Sequence, residues 1–375
     1  MIENISLKNF KVSRSTDINI SPLTVLAGLN GAGKSTSLQA IGLLKQSYDE
    51  KGQIDGLNLS GDLIKLGKWR DVLTETSDDE FISISVCENG KNFEWSFNGQ
   101  FEDSELNILV KPSDAPSFTS SDFQYLQADR IIPSTLYPQS SYQSPHKNGF
   151  LGIRGEYTAD YLALNPNMDV PEKRRANTND IIPTELAEKV SPTPKLLDQI
   201  ASWLQFLSPG ARLKTSRVPG ADEVLLQFNY TSHKIDIAGS YRPTNVGFGL
   251  TYSLPIIVAC LSAPKGALLL LENPEAHLHP RGQSALGELL AQCAADGVQI
   301  IVETHSDHLL NGIRQATKKS TISSDDVALH FFSRSTETGE TNIESPKLLP
   351  NGKLTSWPDG FFDQWDKSLD ILLDD

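Results

Sequence analysis

Residues 23–27, Leu-Thr-Val-Leu-Ala, form a short apolar run of the kind that makes a buried strand. Downstream, Leu38, Ile41 and Leu44 recur at helical spacing within 36–45. Residues 2–10 alternate apolar and polar positions, with one slip at Glu3-Asn4, and Ile18-Asn19-Ile20 follows a polar turn. This predicts a β-hairpin leading into the first buried strand. Two more alternating runs, 81–86 and 93–97, flank Glu88-Asn89-Gly90, and Asn-Gly in that place predicts a second hairpin. Residues 111–122 and 133–149 lack periodicity and read as loop, and the prolines of 164–195 hold any helix there to short length. Leu196, Leu197, Ile200, Trp203, Leu204 and Leu207 have helical spacing until Pro209-Gly210 ends the pattern. Residues 224–228 read as a strand and 250–261 as a buried helix. The apolar runs 267–271 and 298–302 fit central parallel strands, with a crossover helix over 287–295 between them. There is no internal repeat and no sustained heptad pattern.

Composition narrows the picture little. The 375 residues, 38% hydrophobic and 21% charged, suit a soluble globular protein. A net charge of −14 argues against a protein that coats nucleic acid by itself. Lys173-Arg174-Arg175 and the set Arg212, Lys214, Arg217 are local basic candidates, read as solvated loop charges. Cys87, Cys260 and Cys293 form no Cys-x-x-Cys, so a reducing, cytoplasmic setting is expected, without disulfides or a zinc site. The first residues carry no basic leader before an apolar core, so no signal peptide is expected. Residues 250–261 are too short to span a bilayer.

Chemistry enters at residues 28–35, Gly-Leu-Asn-Gly-Ala-Gly-Lys-Ser, a phosphate-binding loop of the form Gly-x4-Gly-Lys-Ser between the strand and the helix. Backbone N–H groups from Asn30, Gly31, Gly33 and Thr36 would cradle phosphate at the helix N-terminus. Lys34 would neutralise the β/γ oxygens, and Ser35 would offer a hydroxyl to Mg²⁺. Such a site needs a carboxylate at the tip of a buried strand, and Glu272 ends the run 268–271. Residues 303–306, Glu-Thr-His-Ser, end a second apolar strand and place His305 to meet the γ-phosphate or the attacking water. Residues 244–249 form another glycine-rich turn before a helix, by itself a weak anion signal.

These segments resemble the ABC-type ATPase heads of the RecF, SMC and OLD-nuclease group. The resemblance rests on Asn-Gly-Ala-Gly-Lys-Ser (30–35), Glu-Asn-Pro-Glu-Ala-His-Leu-His-Pro (272–280), Glu-Thr-His-Ser (303–306) and the opening Leu-Lys-Asn-Phe-Lys (7–11). With Asn-Val-Gly-Phe-Gly (245–249) and Trp-Pro-Asp-Gly-Phe-Phe-Asp-Gln (357–364), the chain is similar to the short stand-alone AAA-family ATPases of mobile-element and anti-phage loci. It implies an α/β P-loop NTPase fold: an ABC-type head with a central mixed sheet, an antiparallel β lobe and a small helical lobe. One domain, 1–375, would divide into a nucleotide core (1–48 and 245–335), an antiparallel β lobe with the Q-loop region (49–150), a helical insertion (151–244) and a tail (336–375). Asn245, Gly247 and Gly249 would form the signature turn that reaches the nucleotide of a second copy, making a homodimer or higher even oligomer. Residues 125–133 resemble the Q-loop segment. Gln127 is the Mg²⁺ or water contact in that reading, and Gln124 is its rival. His277 and His279 are read as lining the dimer interface in preference to binding metal.

The sequence departs from the ABC pattern at one decisive place. That pattern has Asp-Glu where this chain has Glu272-Asn273. A carboxamide orients water but cannot take its proton, so slow basal ATP hydrolysis is expected, completed by Glu275, His305 or a partner protein. About 70 residues follow 303–305, fewer than an independent domain usually needs, so no Toprim nuclease domain of the OLD type is expected. The expected function is an ATP-driven, Mg²⁺-dependent clamp that regulates an effector in trans, most plausibly a nuclease of a bacterial defence system, with nucleic acid met through that partner and no membrane. Two alternatives stand: a stand-alone DNA-binding recombination or repair ATPase, and an ATP-bound scaffold without turnover. The aromatics of 357–362 suit a docking element, packing on their own domain being the other reading.

Overall fold

The computed structural model describes residues 1–75, 77, 79–140, 150–177, 193–230, 239–336, 339–358, 360–361, 369 and 371–373. In chain order the elements are β1 (Ile2–Phe10), β2 (Ser13–Asn19), β3 (Leu23–Gly28), α1 (Lys34–Ser47), β4 (Gly56–Asn58), α2 (Trp69–Val72), β5 (Ile82–Glu88), β6 (Lys91–Asn98), β7 (Glu105–Val110), β8 (Phe123–Leu126) and β9 (Leu136–Pro138). There follow α3 (Thr158–Leu164), α4 (Leu196–Leu207), β10 (Ala211–Arg217), β11 (Glu223–Tyr230), α5 (Phe248–Ser262), β12 (Leu268–Glu272), α6 (Pro280–Ala295), β13 (Gln299–Glu303), α7 (Asp307–Lys318), β14 (Val327–Arg334) and β15 (Thr341–Glu344). They make two compact units. Met1–Ser121, Ile301–His305 and Ser323–Asp375 belong to the first, Asp122–Ile300 and Ser306–Ile322 to the second.

The first unit holds an antiparallel sheet in the order β2-β1-β5-β6-β7-β4. Alternation dictates its buried face: Ile5, Leu7, Ile84, Val86, Trp95 and Phe97 are all buried. Fully burying one such side chain contributes about 1.5–3 kcal/mol. The β5–β6 hairpin turns at Asn89 (φ 51°) and Gly90 (φ 73°), the left-handed pair that a two-residue turn requires. The same unit contains the run β15-β14-β3-β13, of which the last three residues of β13 belong here. β3 pairs with β14 in parallel, and β14 pairs with β15 antiparallel, so this sheet is mixed. The Thr304 N–H donates to the Leu26 carbonyl at 3.0 Å and fixes the end of β13 beside β3.

In the second unit β12 pairs with β8 in parallel, and β9, β11 and β10 form a three-stranded antiparallel sheet. Helix α5 is buried along almost its whole length, as the unbroken apolar run 254–261 requires. Among the described residues no helix is long and apolar enough to cross a membrane.

The α/β class with mixed and antiparallel sheets is the expected one. Three local expectations are corrected. Residues 151–244 are not simply helical: alternating Val224, Leu226 and Phe228 bury one face of β11, and β10 pairs along its length. Residues 133–149, expected as loop, contain β9, which pairs through buried Tyr137 with β11. The two basic clusters are not simply solvated. Arg174 is fully buried, with Nε on Asp296 at 2.9 Å, and Arg217 donates to buried Asp160 at 2.7 Å. A buried guanidinium is tolerable only when paired in this way.

Candidate functional site

The phosphate loop lies between β3 and α1 in the first unit. Gly28 has φ +133°, and a Cβ there would stand 2.0 Å from the Phe332 carbonyl of β14. Only glycine satisfies both conditions. Asn30 and Gly31 are exposed, Ser35 is half-buried and Thr36 is buried on the first turn of α1. Gly33 at the N-cap supplies no side-chain bond, and the first turn carries no acidic residue. The first N–H groups of α1 therefore keep no side-chain cap, as an anion site requires.

Lys34 is buried and folded back onto its own loop. Its Nζ donates to the carbonyls of Gly28 (3.0 Å) and Leu29 (2.8 Å) and lies 3.8 Å from Glu303 Oε1. Burial lowers the ammonium's pKa, and the Glu303 charge opposes that shift. His305 follows two residues after Glu303. Its imidazole lies below the ordinary range because the surrounding protein strips away water, and secondarily because Lys34 is near. His305 is thus neutral at physiological pH.

The second unit carries the remaining candidate residues. Glu272, at the tip of β12, is held by β8 and the segment after it: the Tyr125 hydroxyl donates to Oε1, and the Ala128 backbone N–H donates to Oε2 at 3.0 Å. Beneath it, Arg130 is fully buried. Its guanidinium donates to the backbone carbonyls of Glu272 (2.7 Å), Gln127 (3.2 Å) and Asn273, and stands 5.7 Å over the Tyr252 ring. Burial draws its pKa down to about 10, while Glu275, Tyr252 and Glu272 draw it up. It remains a cation at neutral pH. Asn273 has φ 43°, a left-handed conformation that asparagine tolerates, and its Oδ1 is buried with no hydrogen-bond partner among the described residues. Glu275 is buried within the electrostatic reach of Arg130.

The turn 245–249 leads into α5 in the same unit. Asn245, Gly247 and Phe248 are exposed. A Cβ on Gly249 would stand 2.6 Å from the His277 carbonyl, so that glycine is required by close packing. A Cβ on Gly247 would meet nothing within 4 Å, so packing does not explain the glycine there. The His277 ring sits against Phe248 (centroids 5.7 Å) and edge-on to Tyr252 (4.7 Å), while His279 caps α6 through Nδ1.

The family described as "AAA domain, putative AbiEii toxin, Type IV TA system" matches residues 23–311, which contain the phosphate loop, Glu272 and His305. The chain belongs to this family. Residues 322–372 match a second one, described as "Protein of unknown function (DUF3696)". A curated relative, the OLD nuclease of Thermus scotoductus, is 24% identical over 329 residues, 82% of this chain. The chain spans 59% of that relative's length. The SMC head bound to the C-winged helix domain of ScpA is 15% identical, with 92% of this chain and 98% of that one covered and a TM-score of 0.53. The Smc head domain with an extended coiled coil, bound to the C-terminal domain of ScpA from Pyrococcus furiosus, is 13% identical, with 99% and 98% covered and a TM-score of 0.52. At these identities the likeness is one of fold. The chain thus combines an AAA-family domain with an SMC-head-like fold, in line with the resemblance its motifs carry.

Within this AAA-family chain, Asn30, Gly31, Gly33, Lys34, Ser35, Thr36 and His305 lie in the first unit, and Gln127, Asn245, Gly247, Gly249, Glu272, Asn273 and Glu275 in the second. Gln124 is committed elsewhere: its amide donates to the carbonyls of Tyr125 and Gly152 and accepts from the Leu151 N–H. Gln127 is the other glutamine of the segment. Sequence reasoning missed Tyr125, Arg130 and Glu303. Glu303 lies inside the motif 303–306, and Arg130 follows Asp129 directly, so the local sequence gives no sign of its buried pairing. The aromatic tail divides: Phe361 is buried edge-on against Phe331 (5.3 Å), while Trp357 stays partly exposed. Phe361 thus packs on its own unit; Phe362 lies outside the described residues.

Proposed function

We propose that the chain binds ATP, hydrolyses it slowly with Mg²⁺ and pairs with a second copy around the nucleotide, in the cytoplasm. The observation that carries this reading is the phosphate loop itself. Lys34 is buried, donates to two loop carbonyls at 3.0 and 2.8 Å, pairs with Glu303 and sits at an α1 N-terminus left without a side-chain cap. An incoming triphosphate replaces those carbonyls with stronger, charge-assisted partners. Ser35 and Glu272 are hard oxygen donors suited to Mg²⁺, with Gln127 as a further oxygen. Mg²⁺ bound largely through substrate phosphates needs no dedicated cage. The ion would neutralise phosphate charge. Asn273, Glu275 and His305 serve to orient the water, and Asn245, Gly247 and Gly249 serve the nucleotide of the second copy.

The dimer regulates an effector in trans, a nuclease in anti-phage defence, with nucleic acid reached through that effector. The family's description as a putative toxin of a type IV system, and the name of the OLD nuclease relative, support this setting. Asn273 favours a second reading, an ATP-bound scaffold without turnover.

The test is direct. The wild-type chain should bind ATP, shift to dimer in sedimentation with ATP, and turn over at less than about 10 s⁻¹. Lys34→Ala should lose both binding and dimer. Dimerisation by Lys34→Ala with ATP present would refute the clamp. Unhydrolysed ATP carried through purification would establish the scaffold. DNA-stimulated hydrolysis that collapses with salt would mark a DNA-binding ATPase, against the net charge of −14.

A further inference from the structure

We propose that Glu303 is the carboxylate that takes the proton from the attacking water, the task for which the Asn273 amide is unsuited. The inference rests on the ATP-hydrolysing reading above and names its missing base. Three groups compete for the role. Asn273 carries a carboxamide, which has no basic site at neutral pH. Glu275 interacts with the Arg130 cation much as Glu303 does with Lys34, so position and not neighbouring charge must decide between them. His305 is neutral but stands near the Lys34 charge, which disfavours proton uptake. Glu303 differs from all three. It ends β13, which the Thr304 N–H bond to Leu26 pins beside the strand that feeds the phosphate loop. Its carboxylate is buried and lies 3.8 Å from Lys34 Nζ, the ammonium that meets the terminal phosphates.

Distance fits the task. A phosphate oxygen bonded to Lys34 would lie about 2.9 Å from Nζ. With the 3.8 Å contact on another tetrahedral direction of the same nitrogen, that oxygen and Glu303 Oε1 stand roughly 5.5 Å apart, a span one water bridges with two hydrogen bonds. A glutamine would fill the same space without burying an anion next to a triphosphate. The carboxylate also pairs with buried Lys34, so replacing it by glutamine is what separates a proton-accepting role from support of that ammonium.

The step balances. One water proton passes to Glu303 and the water oxygen bonds to Pγ. The bond from Pγ to the β,γ-bridging oxygen breaks, and ADP leaves with that electron pair. The proton on Glu303 then returns to solvent.

The experiment uses the full chain, Mg²⁺-ATP, calorimetric binding and single-turnover phosphate release. Glu303→Gln should bind ATP as tightly as wild type or more tightly, with the single-turnover rate lowered by about 100-fold or more. Glu303→Asp should recover part of that rate. Glu303→Gln hydrolysing within threefold of wild type overturns the proposal. So does a variant that loses ATP binding and melts lower but keeps its rate at saturating ATP, since that marks mere support of Lys34. Wild type that binds ATP but releases no phosphate overturns it too, while ATP binding stands. Failure of wild type to bind ATP removes the preceding reading itself, and the proposal with it.

Discussion

Replacing Arg130 should damage the second unit more than any exposed change near the site. The guanidinium is fully buried and donates to three backbone carbonyls, those of Gln127, Glu272 and Asn273. Arg130→Met keeps most of the volume and removes every donor. Each buried carbonyl left unpaired costs about 1–3 kcal/mol. The Asn273 carbonyl keeps a second donor, the Ala276 N–H at 3.2 Å, so it counts at the low end. Removing one member of a buried charged network typically costs about 3–5 kcal/mol in total, because Glu272 and Glu275 also lose their nearby cation. That corresponds to a fall in melting temperature of roughly 6–20 °C at about 2–4 °C per kcal/mol. Arg130→Lys keeps the charge but not the fork, and should fall between. Thermal or urea unfolding of the two variants beside wild type measures it. Arg130→Met within about 1 kcal/mol of wild type would refute the claim that these bonds hold the tip of β12.

Two further outcomes follow from single positions. Gly247→Ala should leave the melting temperature unchanged, since a Cβ there meets nothing, yet impair ATP-dependent pairing. Gly249→Ala should lower the melting temperature through its 2.6 Å clash with the His277 carbonyl. Equal melting curves for the two variants would contradict this. His330 is buried, with ring nitrogens on the Asn19 carbonyl (2.6 Å) and Ser345 Oγ (2.7 Å). Burial lowers its pKa against the Asn19 contact, so the folded state holds fewer protons than the unfolded one below about pH 6.5. Stability is therefore full above that pH and falls on acidification toward the lowered folded value, by up to about 1.4 kcal/mol per pH unit. His330→Gln should flatten that slope in melts from pH 5 to 8; identical slopes would exclude the histidine as its source.

Sequence periodicity carried much of this fold, and where it stopped is physically clear. The run 23–27, the helix after it and the hairpin at Asn89-Gly90 were legible because burial and turn chemistry there are local. β10 was not, since Arg212, Lys214 and Arg217 make it look like a solvated loop and only pairing with β11 makes it a strand. Among the candidate site residues, Lys34, Glu272 and His305 were readable from motif spacing. Tyr125 and Arg130 were not, because each acts through a contact more than 140 residues away in sequence. Arg174 misled for the same reason: its partner Asp296 lies 122 residues on.

The parallel pairing of β3 with β14 has a consequence for biosynthesis. Val327 to Phe332 lie against Leu23 to Gly28, so the strand feeding the phosphate loop waits for roughly 300 more residues to be made. At about 5–20 residues per second that is on the order of 15–60 s. The Phe332 carbonyl that seats Gly28 arrives at the end of this interval. A nascent chain would thus display its Gly-x4-Gly-Lys-Ser segment early and gain nucleotide affinity late, so a ribosome-bound intermediate stalled before residue 327 should fail to retain ATP.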